Sequence, residues 1–151
     1  MDVLLLIYNS FVNSKLSYCI EIWGNAPAVY LNKLFLMQKK IIWIINKKPF
    51  DHSTSELFQK SKILTIRKIY ELRVLIHAHN TYQSITNTHN FMYNTRNSFS
   101  CNIPIPLFKT SSGQKTIEYQ ESALGNRLPL CVKQIENPIA FKKEMKRHLL
   151  R

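Results

Sequence analysis

Apolar residues recur along this chain mainly at helical spacing. Between residues 29 and 46, Leu31, Leu34, Phe35, Ile41, Ile42 and Ile45 follow an i, i+3, i+4, i+7 pattern, with Gln38 in the same stripe. The pattern predicts one amphipathic helix that Pro49 brings to an end. Residues 3–23 predict one or two helices closing near Trp23-Gly24-Asn25, with Pro27 beyond as a stop. Tyr18 and Trp23 are expected to pack that first helix against the second. Ser53-Thr54-Ser55-Glu56 has the spacing of a capping box and predicts a short helix through Lys60. Ile66, Ile69, Tyr70, Leu72, Val74 and Ile76 predict a longer helix over 65–83, with apolar positions on two faces as in a central element.

The pattern lapses after Ser84. Residues 84–100 are rich in Asn, Thr and Ser and read as a polar loop. Residues 101–119 contain Pro104, Pro106 and Gly113 and alternate weakly at Ile103/Ile105/Leu107 and Thr116/Ile117/Tyr119. They predict a small β-hairpin turning at Ser111-Ser112-Gly113, with its prolines confined to an edge. Glu121–Leu128 reads as a short helix ahead of Pro129. Asn137-Pro138 opens a last helix with Phe141, Met145 and Leu149 facing inward. The expected fold is mainly α, a bundle of four to six helices with a small β-hairpin in the last third. Its expected organisation is a helical region over 1–83, a polar loop over 84–100, and a hairpin with C-terminal helices over 101–151 on the same unit.

Charge sharpens this picture. The 151 residues include 21 Lys and Arg against 9 Asp and Glu, a net charge of +12, while 45% hydrophobic residues suffice for a packed core. Such a surface attracts phosphate, acidic partners or anionic lipid. The only aspartates are Asp2 and Asp51, and no D-x-D, D-D or D-x-x-E pair occurs. Two-metal phosphoryl or nucleotidyl transfer needs several converging carboxylates, so that chemistry is not expected. There is no glycine-rich phosphate loop and no G-x-S-x-G elbow. His77 and His79 stand two residues apart and point to different faces of a helix, which disfavours a shared metal. Cys19, Cys101 and Cys131 are odd in number and far apart, which suits a reducing, intracellular compartment and small core residues rather than a disulfide framework. No catalytic residue, metal or cofactor is assigned. The apolar start Met1–Ile7 has no basic n-region and polar residues from Asn9 to Lys15 follow it, so it reads as a buried helix rather than a signal peptide or membrane span; Ile41–Ile45 is too short to span a bilayer, and no membrane partner is expected.

The residues most suited to chemistry are cationic. Lys33, Lys40 and Lys47 recur every seven residues opposite the apolar stripe, with Lys39 beside them and Trp43 placed to stack on bases. The alternative is a solvated lysine face, with Trp43 packing on a neighbouring helix. Lys142, Lys143, Lys146 and Arg147 form a second cluster on the last helix, where cations also complement the helix dipole.

Four segments in order carry a resemblance. They are Leu16-Ser17-Tyr18-Cys19-Ile20-Glu21-Ile22-Trp23-Gly24-Asn25-Ala26, then Leu31-Asn32-Lys33-Leu34-Phe35-Leu36-Met37-Gln38-Lys39-Lys40, then Tyr93-Asn94-Thr95-Arg96, and last Asn126-Arg127-Leu128-Pro129 followed by Phe141-Lys142-Lys143. Over nearly its whole length the chain resembles the C-terminal part of reverse transcriptases of non-LTR (LINE-type, jockey-like) retrotransposons. The resemblance implies thumb and post-thumb structure that grips a template–primer duplex, with RNA or an RNA–DNA hybrid as partner. Arg96 then either bridges to phosphate or ties down its own loop. The family's Tyr/Phe-x-Asp-Asp motif is absent, which implies a truncated product that binds without catalysing. The competing expectation is a helical protein-interaction or purely structural module. Two departures from the family are expected to weaken it: Gly125 stands where Trp is frequent, and Trp43 where Arg is common. A first helix left uncovered by truncation is expected to invite self-association.

Overall fold

A computed structural model describes residues 3–88 and 102–150 of the chain. Those residues are mainly helical. In order they form α1 (Val3–Ile7), a π-helical segment (Tyr8–Asn13), α2 (Ser14–Ser17), α3 (Ile20–Trp23), α4 (Ala28–Ile45), α5 (Thr54–Lys60), α6 (Ile66–Thr88), a 3-10 turn (Gly113–Lys115), α7 (Ile117–Gly125), α8 (Leu130–Lys133) and α9 (Pro138–Leu150). The chain divides into two compact units, Met1–Tyr70 with His148–Arg151 and Glu71–Arg147.

In the first unit α4 is the spine. Its buried residues Leu31, Gln38, Ile42 and Ile45 lie on the expected stripe. Ile42 and Ile45 form one core with Tyr8, Leu57, Phe58 and Ile63. Gln38 is buried yet fully engaged. Its Nε2 donates to the Tyr8 hydroxyl at 3.0 Å and to the Leu64 carbonyl at 3.4 Å, and its Oε1 accepts the Ile66 N–H at 2.8 Å. The Ile66 N–H opens α6 and has no intrahelical acceptor, so Gln38 caps that helix from a distant point in the chain. Burial pushes the Tyr8 phenol above its ordinary pKa, against the smaller opposing effect of the Gln38 hydrogen bond.

The first stretch is more broken than its periodicity implies. Cys19 adopts a left-handed φ of 49° between α2 and α3. The Trp23 indole N–H spans that break to the Tyr18 carbonyl at 2.8 Å. Tyr18 itself is 76% exposed and does not pack one helix on the next. Cys19 and Cys131 are exposed rather than in the core, and Cys101 lies outside the described residues. Gly24 is buried where a Cβ would come within 2.3 Å of the Tyr70 ring, so the ring can reach the chain only at a glycine.

The ends of α4 and α5 share one device. Lys47 and Lys62 sit one residue beyond the respective C-caps with φ of 50° and 53°, in the left-handed region that usually takes glycine. The next residues close six-residue loops back into each helix, Lys48 N–H to the Trp43 carbonyl and Ile63 N–H to the Phe58 carbonyl, both at 3.0 Å. Asn46 Nδ2 donates to the Ile42 carbonyl at 2.9 Å and to Ser61 Oγ at 3.0 Å, joining the two helix ends. Ser53 does precede α5 with non-helical backbone, but its side chain makes no capping hydrogen bond, so the capping box is not closed.

The second unit corrects the hairpin. No β-strand occurs among the described residues. Residues 102–107 carry no regular structure, Gly113–Lys115 is a 3-10 turn, and Ile117–Gly125, whose first three residues fall in the expected hairpin, is helix α7. The reason lies in where the backbone groups of the Ile103 segment go. Asn126 Oδ1 accepts the Ile103 N–H at 2.8 Å and Asn126 Nδ2 donates to the Ile103 carbonyl at 2.9 Å. Ser122 Oγ donates to the Pro104 carbonyl at 3.1 Å. Side chains at and near the end of α7 thus do the work of a partner strand, and Pro104 and Pro106 have no N–H to offer one. Helix α6 runs on through Thr88, over the first residues of the expected polar loop; residues 89–100 lie outside the described residues. In α9, Asn137 Oδ1 accepts the Ile139 N–H at 2.9 Å as the expected N-cap, and Phe141 and Met145 are buried while Leu149 is half-buried.

Candidate nucleic-acid interface

Lys33, Lys40 and Lys47 are all exposed; Lys33 and Lys40 share a face of α4 seven residues apart, and Lys47 lies in the turn just beyond its end. Seven residues of helix rise about 10.5 Å, which separates Lys33 from Lys40 along α4. Residues 28–45 contain no Asp or Glu, so nothing on α4 itself neutralises these ammonium groups. Lys39 is turned from that face. Its Nζ lies 4.8 Å from the centre of the Phe35 ring, a cation–π contact on the half-buried side of the helix.

Trp43 is committed within its own unit. Its indole N–H donates to the His52 carbonyl at 2.9 Å, and its ring meets Phe50 edge-on with centroids 5.4 Å apart. This arrangement holds the 49–52 turn against α4 and uses the polar edge of the indole. The structure also adds cations that periodicity does not single out. The Asn46–Ser61 bond brings the turns carrying Lys47 and Lys62 together, with exposed Lys48 and Lys60 next to them. The signal was distributed, since these lysines belong to two helices and only the fold joins them.

In the second unit, Lys142, Lys143 and Lys146 are exposed on α9, while Arg147 pairs with Glu144 one turn back at 2.5 Å. Arg96 lies outside the described residues. Two polar constellations there were not legible beforehand. Glu121 is buried and held by His77 and by Thr81 Oγ1 at 3.3 Å, a contact across forty-odd residues that no local spacing announces. Lys133, also buried, donates to Asn102 Oδ1 at 2.7 Å and to the Asn126 carbonyl at 3.2 Å. His79 is buried beside His77's helix turn, donating from Nε2 to the Ile135 carbonyl at 2.6 Å and stacking on Phe141 at 4.3 Å. The two histidines therefore part to different surroundings, as their spacing implies.

Among the described residues no three His, Cys, Asp or Glu side chains gather as metal ligands, and no helix is long and apolar enough to cross a membrane. No family model, curated protein or solved structure matches this chain.

Proposed function

We propose that this chain binds nucleic acid through the first unit, as a non-catalytic module like the C-terminal part of a non-LTR retrotransposon reverse transcriptase. The observation that carries the reading is exposed Lys33 and Lys40 on a helix without carboxylates, followed by exposed Lys47 in its C-terminal turn at the corner shared with Lys48, Lys60 and Lys62. Ammonium groups so placed meet phosphates as point charges and release counterions from them. RNA or an RNA–DNA hybrid is the partner that the family resemblance supplies. The scarcity of carboxylates supports a role in binding rather than chemistry, inside the cell where the thiols stay reduced.

Filter binding to an RNA–DNA hybrid across a salt series tests this. Three phosphate contacts give a log–log salt slope of about −2.7. Lys40→Glu with Lys47→Glu weakens binding by roughly tenfold or more at low salt. Absence of binding at low salt, or affinity indifferent to salt, rejects the reading. A role as a protein-interaction module is favoured by a different observation, the apolar groove described next.

A further inference from the structure

The most conspicuous unpaired surface of the first unit is apolar. The π-helical segment turns Tyr8 into the core and leaves Phe11 66% exposed, and Met37 across from it on α4 is 60% exposed. Between them runs a groove of about 260 Å³ walled by Phe11, Val12 and Leu16 on one side and Leu34, Met37 and Ile41 on the other. Val3, Leu6 and Ile7 continue the exposed apolar surface along α1. Patches of this kind on soluble domains mark interaction sites.

Charge identifies the occupant. Residues 3–17 and 28–45, which supply both walls, contain no Asp or Glu but carry Lys15, Lys33, Lys39 and Lys40. Lys15 stands at the groove and Lys33 and Lys40 line the adjoining face of α4. A second copy is disfavoured, because this unit holds eleven Lys and Arg against four Asp and Glu and would bring like charge to the contact. A flat lipid surface cannot fill a channel between two helices. The Leu34–Ile41 wall is about 10.5 Å long, the length of two helical turns. We infer that the groove takes an amphipathic helix of a protein partner, with apolar side chains inserted and acidic residues along both flanks.

The test uses the full chain and a synthetic helix of roughly 14 residues, with Leu at i, i+3, i+4 and i+7 and Glu on its flanks. Its twin has every Glu replaced by Lys. Fluorescence anisotropy is expected to show saturable binding of the acidic peptide and binding at least about tenfold weaker for the twin. Phe11→Ser and Met37→Gln change exposed positions without adding charge, so the fold, checked by circular dichroism, persists while peptide affinity falls about tenfold or more. The same variants keep hybrid binding within a few fold, because the lysines are intact, which separates failure here from failure of the nucleic-acid reading. Equal binding of both peptides, or no binding of either, overturns the inference. So does sedimentation as a dimer that Met37→Gln converts to monomer, which would make the occupant a second copy.

Discussion

The side-chain amide of Asn126 satisfies both backbone groups of Ile103, accepting its N–H at 2.8 Å and donating to its carbonyl at 2.9 Å. Ile103 is buried, so neither group has water to turn to. Asn126→Ala removes both partners and is expected to destabilise the second unit by about 2–4 kcal/mol. Asn126→Asp keeps the acceptor and loses the donor, so its cost is expected to be smaller than that of alanine. Urea melts of the three proteins check the order; an alanine variant within about 0.5 kcal/mol of the parent would show that the clamp contributes nothing.

Gly125 stands where the resemblance implies a larger side chain, so its surroundings show whether a hole lies there. A Cβ at Gly125 would meet Ala78 Cβ at 3.2 Å and Ile103 Cδ1 at 3.5 Å, and the cavity beside it holds only about 20 Å³. The surroundings have closed on the glycine, so the expected packing loss is not visible as empty space. Its φ is not positive, and the backbone accepts other residues. Gly125→Ala trades a helix-propensity gain of about 0.5–1 kcal/mol against a tight contact and is expected to lie within about 1 kcal/mol of the parent. Gly125→Trp is expected to cost more than about 3 kcal/mol. A tryptophan variant melting at the parent's temperature would show instead that space is latent there.

These two neighbours also show what the sequence could announce. The helices at 28–45 and 138–150 were legible because each combines a 3.6-residue apolar period with a proline or cap residue at an end, and the helix at 54–60 from the Ser53–Glu56 spacing, although Ser53 makes no capping bond. The segment at 102–107 misled because alternation is only half of a strand signal. The other half is a partner for its backbone, and Asn126, twenty-three residues on, took that place. Exposed Lys33, Lys40 and Lys47 could be found from a seven-residue spacing, since one helix and its C-terminal turn carry them. Lys62 joins their end only because Asn46 reaches Ser61, and Glu121 meets His77 only because α6 and α7 pack. Contacts of that kind have no local signature.

Alkaline pH should weaken the first unit through Tyr8. Burial raises its pKa in the folded state above the ordinary value of 10.0. Up to about pH 10 both states keep the proton and the contribution of the group is intact. Above it the unfolded chain ionises first, and stability falls as pH rises through the folded-state pKa. Tyr70 shifts in the same direction, so the informative quantity is a difference. Tyr8→Phe gives up the Gln38 hydrogen bond, at about 1 kcal/mol near neutrality, and should lose stability less steeply above pH 10. Parallel curves for parent and variant across that range would exclude this linkage.

Lys47 sets stability against binding. It occupies a left-handed conformation just past α4, where a non-glycine residue costs roughly 1 kcal/mol. It also follows Lys33 and Lys40 beyond the helix end, exposed at the turn that Asn46 ties to Ser61. Lys47→Gly is therefore expected to stabilise the protein by about 1 kcal/mol while weakening hybrid binding and reducing the salt slope by about 0.9. Lys47→Ala removes the same charge without relieving the backbone, so it should match glycine in binding but not in stability. Lys62→Gly offers the same comparison at the end of α5. Thermal melts and filter binding on the same preparations decide the matter. If glycine and alanine were equally stable, backbone strain would be absent. If either bound as tightly as the parent with an unchanged slope, Lys47 would be a helix terminator and not a phosphate contact.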